Sequence, residues 1–272
     1  MNPLEIIDFH THAFPDKVAA SAIPALEKEG NIRAYTDGTC RALKASMDRA
    51  GIAKSVICSI ATRVEHFQPI LDWSKQIRSD RLIPLPSVHP LDPRLTSHVR
   101  TVKELGFIGI KVHPYYQDFF LAEERMDSLY RALIEHDLLL VTHTGFDIAY
   151  PRIRRCDPTQ VRAVLKKFPE LKLITTHLGG WDDWQEVERL LIGRPIYMEI
   201  SFALDFLSSE TMRRLLTAHP AEFLLFGTDS PWQDQAACLK KLARLDLDRA
   251  LLAALLHDNA AKIIPYTPDH TL

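Results

Sequence analysis

Eight short apolar runs, each followed by a stretch of helical period, set the strongest limit on what this chain can fold into. The runs are LEIIDF (4–9), SVICSIA (55–61), RLIPLPSV (81–88), FIGIKV (107–112), LLLVTH (138–143), LKLITTH (171–177), PIYMEIS (195–201) and EFLLFGTD (222–229). They are aliphatic, partly β-branched and too short for helices, so they read as buried strands. Between them lie amphipathic segments such as CRALKASMDRAG, AEERMDSLYRALIEHD, PTQVRAVLKKFPE and SETMRRLLTAHP. Asp157 before Pro158, and Ser208 or Ser209 at the start of the next helical run, are residues whose side-chain oxygen accepts from a free backbone N–H at a helix start.

Eight strands alternating with helices, at roughly 25 to 35 residues per unit, match the α/β class and the (β/α)8 TIM barrel. A doubly wound sheet is the alternative, but no G-x-G-x-x-G turn follows any strand. Residues 13–39 are expected to add a loop and helix over the barrel mouth. The tail LDRALLAALLHDNAAKIIP is expected to pack as closing helices on the outside. With no linker or low-complexity tract, residues 1–272 read as a single domain.

Active sites of such barrels sit at the C-terminal ends of the strands. Strand 1 ends in His10 and His12, strand 3 in His89, strand 4 in His113, strand 5 in His143, strand 6 in His177 and strand 8 in Asp229. Half of the 12 histidines therefore gather on one rim. Alternation places Asp8, His10 and His12 on one inward face. His10, His12, His143 and Asp229 come from strands 1, 5 and 8 and can meet on the barrel axis, the convergence that a zinc ion requires. Blander readings exist: Asp229 before Ser-Pro could cap the next helix, and His89 and His113 precede prolines that end strands. Lys111 shares the inward face with His113, and a buried ammonium needs a partner, for which Asp8 and Glu199 are candidates.

The motifs DFHTH, GIKVHP, VTHTG, THLGG and FGTDSPW, in this order, resemble the amidohydrolase superfamily. More narrowly they are similar to the amidohydrolase-related (amidohydrolase 2) branch, which includes aminocarboxymuconate-semialdehyde decarboxylase and aromatic-acid decarboxylases. The resemblance runs from strand 1 to the closing NAAKII helix. It implies that His10, His12, His143 and Asp229 bind a divalent metal, Zn2+ first and Mn2+ as the alternative. It gives His177 a role on the metal-bound water or the substrate, or as ligand to a second metal. Where two metals are bound, the strand-4 lysine is carboxylated and bridges them, and Lys111 lies near that position. A homodimer is an assembly the resemblance allows.

On the substrate side, Tyr115, Tyr116, Phe146, Trp181, Phe202 and Trp232 follow strands 4 to 8 and favour an apolar or aromatic small molecule. His113 and Lys111 are expected to touch it, and Arg154 in YPRIRRC is a candidate partner for a substrate carboxylate. The leading expectation is hydrolysis, with His177 polarising a carbonyl and Asp229 moving the water proton to the leaving group. Non-oxidative decarboxylation of an aromatic or unsaturated acid uses the same residues and is the alternative. A metal-dependent binding protein without catalysis is the third.

A formal charge of -2 and a pI near 6.6 leave no electrostatic footprint for nucleic acid or an anionic membrane. No run approaches the roughly 18 apolar residues of a spanning helix. The four scattered cysteines have no C-x-x-C pair and read as reduced thiols, so the cytoplasm is the expected compartment.

Overall fold

The computed structural model describes residues 5–264. Its strands are β1 (Ile6–Thr11), β2 (Ile52–Cys58), β3 (Leu82–Leu85), β4 (Gly109–Val112), β5 (Leu139–Thr142), β6 (Leu173–Thr175), β7 (Tyr197–Glu199) and β8 (Leu224–Leu225). Regular parallel pairing joins β1-β2-β3 and, separately, β4 through β8. Two irregular seams complete the ring. At one, Lys111 N donates to Pro86 O at 2.9 Å and Ser87 Oγ to Lys111 O at 2.7 Å. At the other, Phe9 N donates to Phe226 O at 2.7 Å and His12 N to Ser230 O at 2.6 Å. The chain is a (β/α)8 barrel.

The helices are α1 (Asp16–Gly30), α2 (Cys40–Ala50), α3 (Phe67–Ile77), α4 (Leu95–Glu104), α5 (Asp127–Glu135), α6 (Pro158–Lys167), α7 (Trp184–Leu190), α8 (Ala203–Phe206), α9 (Ser209–Ala218), α10 (Gln235–Ala243), α11 (Arg249–Ala253) and α12 (Asn259–Ile263). Asp157 accepts from Gln160 N at 3.1 Å and Ser208 from Thr211 N at 3.1 Å, so the caps of α6 and α9 are as the sequence indicates. Helix α1 is the expected addition after strand 1. No helix among the described residues is long and apolar enough to cross a membrane.

Three features depart from the sequence reading. The final strand is only two residues long, because Thr228 N and Asp229 N turn to the His10 carbonyl, at 3.3 and 2.7 Å, instead of continuing the ladder. The tail does not lie wholly outside: Ala260 and Ile264 share a buried cluster with Ile7, Phe9, Val56, Leu139, Val141, Ile174 and Leu225, so α12 packs on the strands' interior residues. The third departure is at β1. Asp8 pairs with Ser55 and Thr11 with Ile57, so three steps of β1 oppose two of β2. Such a bulge reverses the alternation. Ile7 and Phe9 join the interior cluster, His10 and His12 face the barrel mouth, and Asp8 is left on the opposite side, toward α10.

There Asp8 is fully buried and ties β1 to the β8 loop. It accepts from Thr228 N at 3.0 Å, Thr228 Oγ1 at 2.6 Å, Gln235 Nε2 at 2.8 Å and its neighbour His10 N at 3.2 Å. Burial raises its carboxyl to about 7 in spite of these donors. Removing the acceptor leaves several donors buried without a partner. Asp8→Ala is therefore expected to lower unfolding free energy by about 3 kcal/mol, read as a fall in the urea midpoint. An unchanged midpoint would show that the seam is held by other contacts.

Candidate metal centre and active-site cavity

The seam that closes the barrel also sets the geometry of its rim. His10 and His12 leave β1 with their Nε2 atoms 3.2 Å apart. Asp229, held at φ 60° by its hydrogen bond to the His10 carbonyl, brings Oδ1 to 3.0 Å from His12 Nε2 and 3.4 Å from His10 Nε2. Across the mouth, His177 Nε2 lies 3.1 Å from His143 Nδ1. One ring nitrogen each of His10 and His177 and one oxygen of Asp229 fall within 4.8 Å of each other.

Neighbouring groups assign the protons. His10 Nδ1 donates to Glu199 Oε1 at 2.9 Å, which leaves a lone pair on Nε2. His143 Nε2 donates to the Phe146 carbonyl at 2.8 Å, which leaves one on Nδ1. His177 Nδ1 donates to Ser201 Oγ at 2.8 Å, and that hydroxyl donates to Glu199 Oε1 at 2.8 Å, which leaves one on Nε2. Glu199 thus orients two of the histidines, in the manner of carboxylates behind metal-ligating imidazoles. The approach is close: a Cβ on Gly227 would stand 2.1 Å from Glu199 Oε2. Gly145 is equally constrained, at φ +93° with a hypothetical Cβ 2.1 Å from Trp181 N.

Lone pairs aimed at one another need a positive charge between them. Asp229 Oδ1 is buried and, although near His12, makes no hydrogen bond of acceptable geometry. This donor set of imidazole nitrogens and one carboxylate oxygen fits a divalent cation of the Zn2+ or Mn2+ type. Burial first, then neighbouring positive groups such as Lys111, push His10 and His143 far below the usual imidazole range. His113 is likewise pushed far down, by burial and then by His143. His177 falls to about 3, chiefly through burial. Burial works against the Asp229 charge, but His10, His12 and Lys111 outweigh it and hold its carboxyl low.

Above this cluster opens a cavity of about 550 Å³. His12, His113, His143, His177 and Asp229 form its polar end, and Phe14, Ile60, Trp73, Tyr116, Phe146, Trp181, Phe202 and Trp232 are among its walls. Helix α1 contributes Val18, Ala22, Ala25 and Leu26, so the segment after strand 1 does cover the mouth.

Several expected contacts are elsewhere. Tyr115 does not line the cavity; it is buried, donating its hydroxyl to the Ile153 and Gly145 carbonyls, and Tyr116 takes the wall position. Arg154 does not line it either. It pairs with Asp183 at 2.5 Å and Asp157 at 3.0 Å, because the 151–156 loop turns it toward the start of α6. Lys111 is buried beneath the cavity with Nζ 3.4 Å from His10 Nε2, and among the described residues it makes no ion pair. Neither expected partner is free, since Asp8 faces α10 and Glu199 serves His10 and Ser201. Asp229 does not cap the next helix; Asp234 does so for α10, accepting from Ala237 N at 2.7 Å. His89 stays outside the cavity, its Nδ1 accepting from Leu91 N.

Sequence reasoning missed Ser201, whose period-two spacing from Glu199 was the available signal. It also missed Gln117, whose amide joins three strand ends by bonding Ala61 O, Val88 O and His113 N. Asp147 was missed as well. It follows β5 with one carboxylate oxygen 3.4 Å from His113 Nε2, and burial lifts it to about 6. His113, His143 and Asp147 cluster closely enough to resemble a second metal site. His143 cannot serve there through Nε2, which already donates to Phe146 O.

The family's sequence profile, described as amidohydrolase, matches residues 7–265. The chain belongs to the amidohydrolase family. No curated protein matches it significantly by sequence. Among solved structures, the uncharacterized TIM-barrel protein Bb4693 from Bordetella bronchiseptica aligns at TM-score 0.77 and 18% identity, covering 95% of this chain and 97% of that one. The 5-carboxyvanillate decarboxylase LigW from Sphingomonas paucimobilis aligns at 0.69 and 14%, over 96% and 99%. A 5-carboxyvanillate decarboxylase from Novosphingobium aromaticivorans, complexed with manganese and 4-hydroxy-3-methoxy-5-nitrobenzoic acid, aligns at 0.68 and 15%, over 95% of each chain. At these identities the likeness establishes the shared barrel.

Two outcomes follow from the cluster. Protein purified without chelator should carry about one equivalent of divalent metal by elemental analysis, and His12→Ala should carry less than half as much; equal content in both would remove His12 from the ligands. The chelated protein should also be acid-labile. Unfolded histidines titrate near 6.5, whereas folded His177 titrates near 3, so between these values the unfolded state binds more protons. The stabilisation is complete above about pH 6.5 and is lost progressively as pH falls toward 3. The raised carboxyls of Asp8 and Asp147 act in the opposite sense, so the histidine effect is read by comparison: a chelated His177→Gln variant whose urea midpoint changes from pH 8 to 5 as the wild type's does would contradict it.

Proposed function

We propose that the protein is a metal-dependent, non-oxidative decarboxylase of an aromatic or unsaturated acid bearing one carboxylate. The observation that carries this reading is the uneven charge of the cavity. Among the described residues no lysine or arginine lines it, so positive charge is supplied only at the histidine end, from the cation and from Lys111 beneath. An acid is therefore oriented with its carboxylate at that end and its apolar body against Tyr116, Phe146, Trp181, Phe202 and Trp232.

A divalent cation held by His10, His12, His143, His177 and Asp229 would supply a Lewis acid for the carboxylate. Glu199 and Ser201 keep His10 and His177 in the tautomers that direct lone pairs inward. The apolar walls exclude water and disfavour a localised negative charge relative to one spread over a ring. Asp229, which its neighbours hold ionised, would take up the proton of the bound acid and pass it to the ring carbon as carbon dioxide leaves.

A lactone or amide hydrolase is the second reading, favoured by the family's description.

Enzyme reconstituted with Zn2+ or Mn2+ should release carbon dioxide from one or more acids in a panel of aryl and unsaturated monocarboxylates. Asp229→Asn should lower that rate at least about 100-fold with the circular-dichroism spectrum unchanged. Turnover of lactones or amides with no carbon dioxide from any acid would replace decarboxylation by hydrolysis.

A further inference from the structure

Asp147 has no assigned task, and its surroundings are unusual for a carboxylate. Its side chain is 9% exposed and lines the cavity. One oxygen accepts from Ala149 N at 2.8 Å, which closes the turn that carries it. The other lies 3.4 Å from His113 Nε2 and 3.9 Å from His143 Nε2 and takes no hydrogen bond from either. His143 is not available, because its Nε2–H is directed to Phe146 O. The nearby cations are turned away: Arg152 pairs with Asp182 and Arg154 with Asp183. That second oxygen belongs to a largely buried carboxylate and takes no side-chain hydrogen bond among the described residues, so an O–H or N–H of a ligand in the cavity can supply its donor.

We propose that Asp147 selects the substrate by accepting a hydrogen bond from a hydroxyl or amine on its apolar body, and that it rejects a second carboxylate there. The position of the substrate's first carboxylate rests on the decarboxylase reading; the role of Asp147 does not need turnover. Glu29 also lines the mouth and adds to the repulsion of a second negative group. With no lysine or arginine on the walls among the described residues, nothing compensates that repulsion. The substrate class is thus a ring monoacid carrying an O–H or N–H donor, as distinct from a dicarboxylate.

The test is equilibrium binding to the metal-loaded protein, by calorimetry, of benzoate and of its hydroxy-, amino- and second-carboxylate derivatives at each ring position. The tightest hydroxy or amino isomer should bind about tenfold better than benzoate, and every dicarboxylate about tenfold worse. The hydroxy and amino arms identify which donor is preferred. Asp147→Asn retains an oxygen for Ala149 N and removes the charge, so the penalty on the dicarboxylates should shrink to within about threefold. Asp147→Ala should abolish the advantage of the donor-bearing acids. Unchanged metal content and circular dichroism in both variants show that the site is otherwise intact. A wild-type protein that binds dicarboxylates as well as the donor-bearing acids, or binds none of the series, overturns the proposal, as does an Asp147→Asn variant with the wild-type ranking. If the ranking holds and no acid releases carbon dioxide, the decarboxylase reading fails and the role of Asp147 stands.

Discussion

Everything at the mouth of this barrel depends on how β1 meets the end of β8. A parallel ring has no free edge only if its first and last strands bond, and here the last strand is two residues long. The deficit is met by Asp8, which accepts three hydrogen bonds from Thr228 and Gln235, and by the His10 carbonyl, which accepts from Thr228 N and Asp229 N. The contact that closes the fold is also the one that sets Asp229 beside His10 and His12. Fold and site therefore share one set of hydrogen bonds.

The electrostatics of the rim follow from the same closeness. Several imidazoles held neutral by burial, a fully buried lysine and an ionised aspartate would be a poor arrangement if left to themselves. Glu199 makes it workable by taking the proton-bearing side of His10 and, through Ser201, that of His177. Those contacts direct the lone pairs to a common centre, where a divalent cation fits. The cavity beyond is apolar on most sides, and apart from the histidine end its acidic lining is Asp147 and Glu29.

The strand ends were legible because period and punctuation are local properties. His10, His12, His143, His177 and Asp229 stand where apolar runs stop, and the motif order carries the family. The caps at Asp157 and Ser208 were legible for the same reason, since a cap reaches only three residues ahead. Asp8 was misread because strict alternation assumes an unbroken register, and the bulge opposite Ser55–Ile57 exists only once β1 and β2 are paired. Tyr115 was read at the substrate alongside Tyr116, and Arg154 was given a substrate, because side-chain direction in a loop depends on what the loop packs against.

By itself the amino-acid sequence determined the barrel, the family and which residue types stand on the catalytic rim, all of which follow from patterns along the chain. Only the tertiary structure decided which of those residues face one another. It turned Asp8 out to the β8 seam, set Glu199 behind His10 and, among the described residues, left Lys111 without a carboxylate partner and Asp147 without a lysine or arginine partner. These are pairings between residues as many as 227 positions apart, as in Asp8 with Gln235. Local propensity carries no information about them, because the partner that satisfies a buried polar group is chosen by the packing of the whole ring.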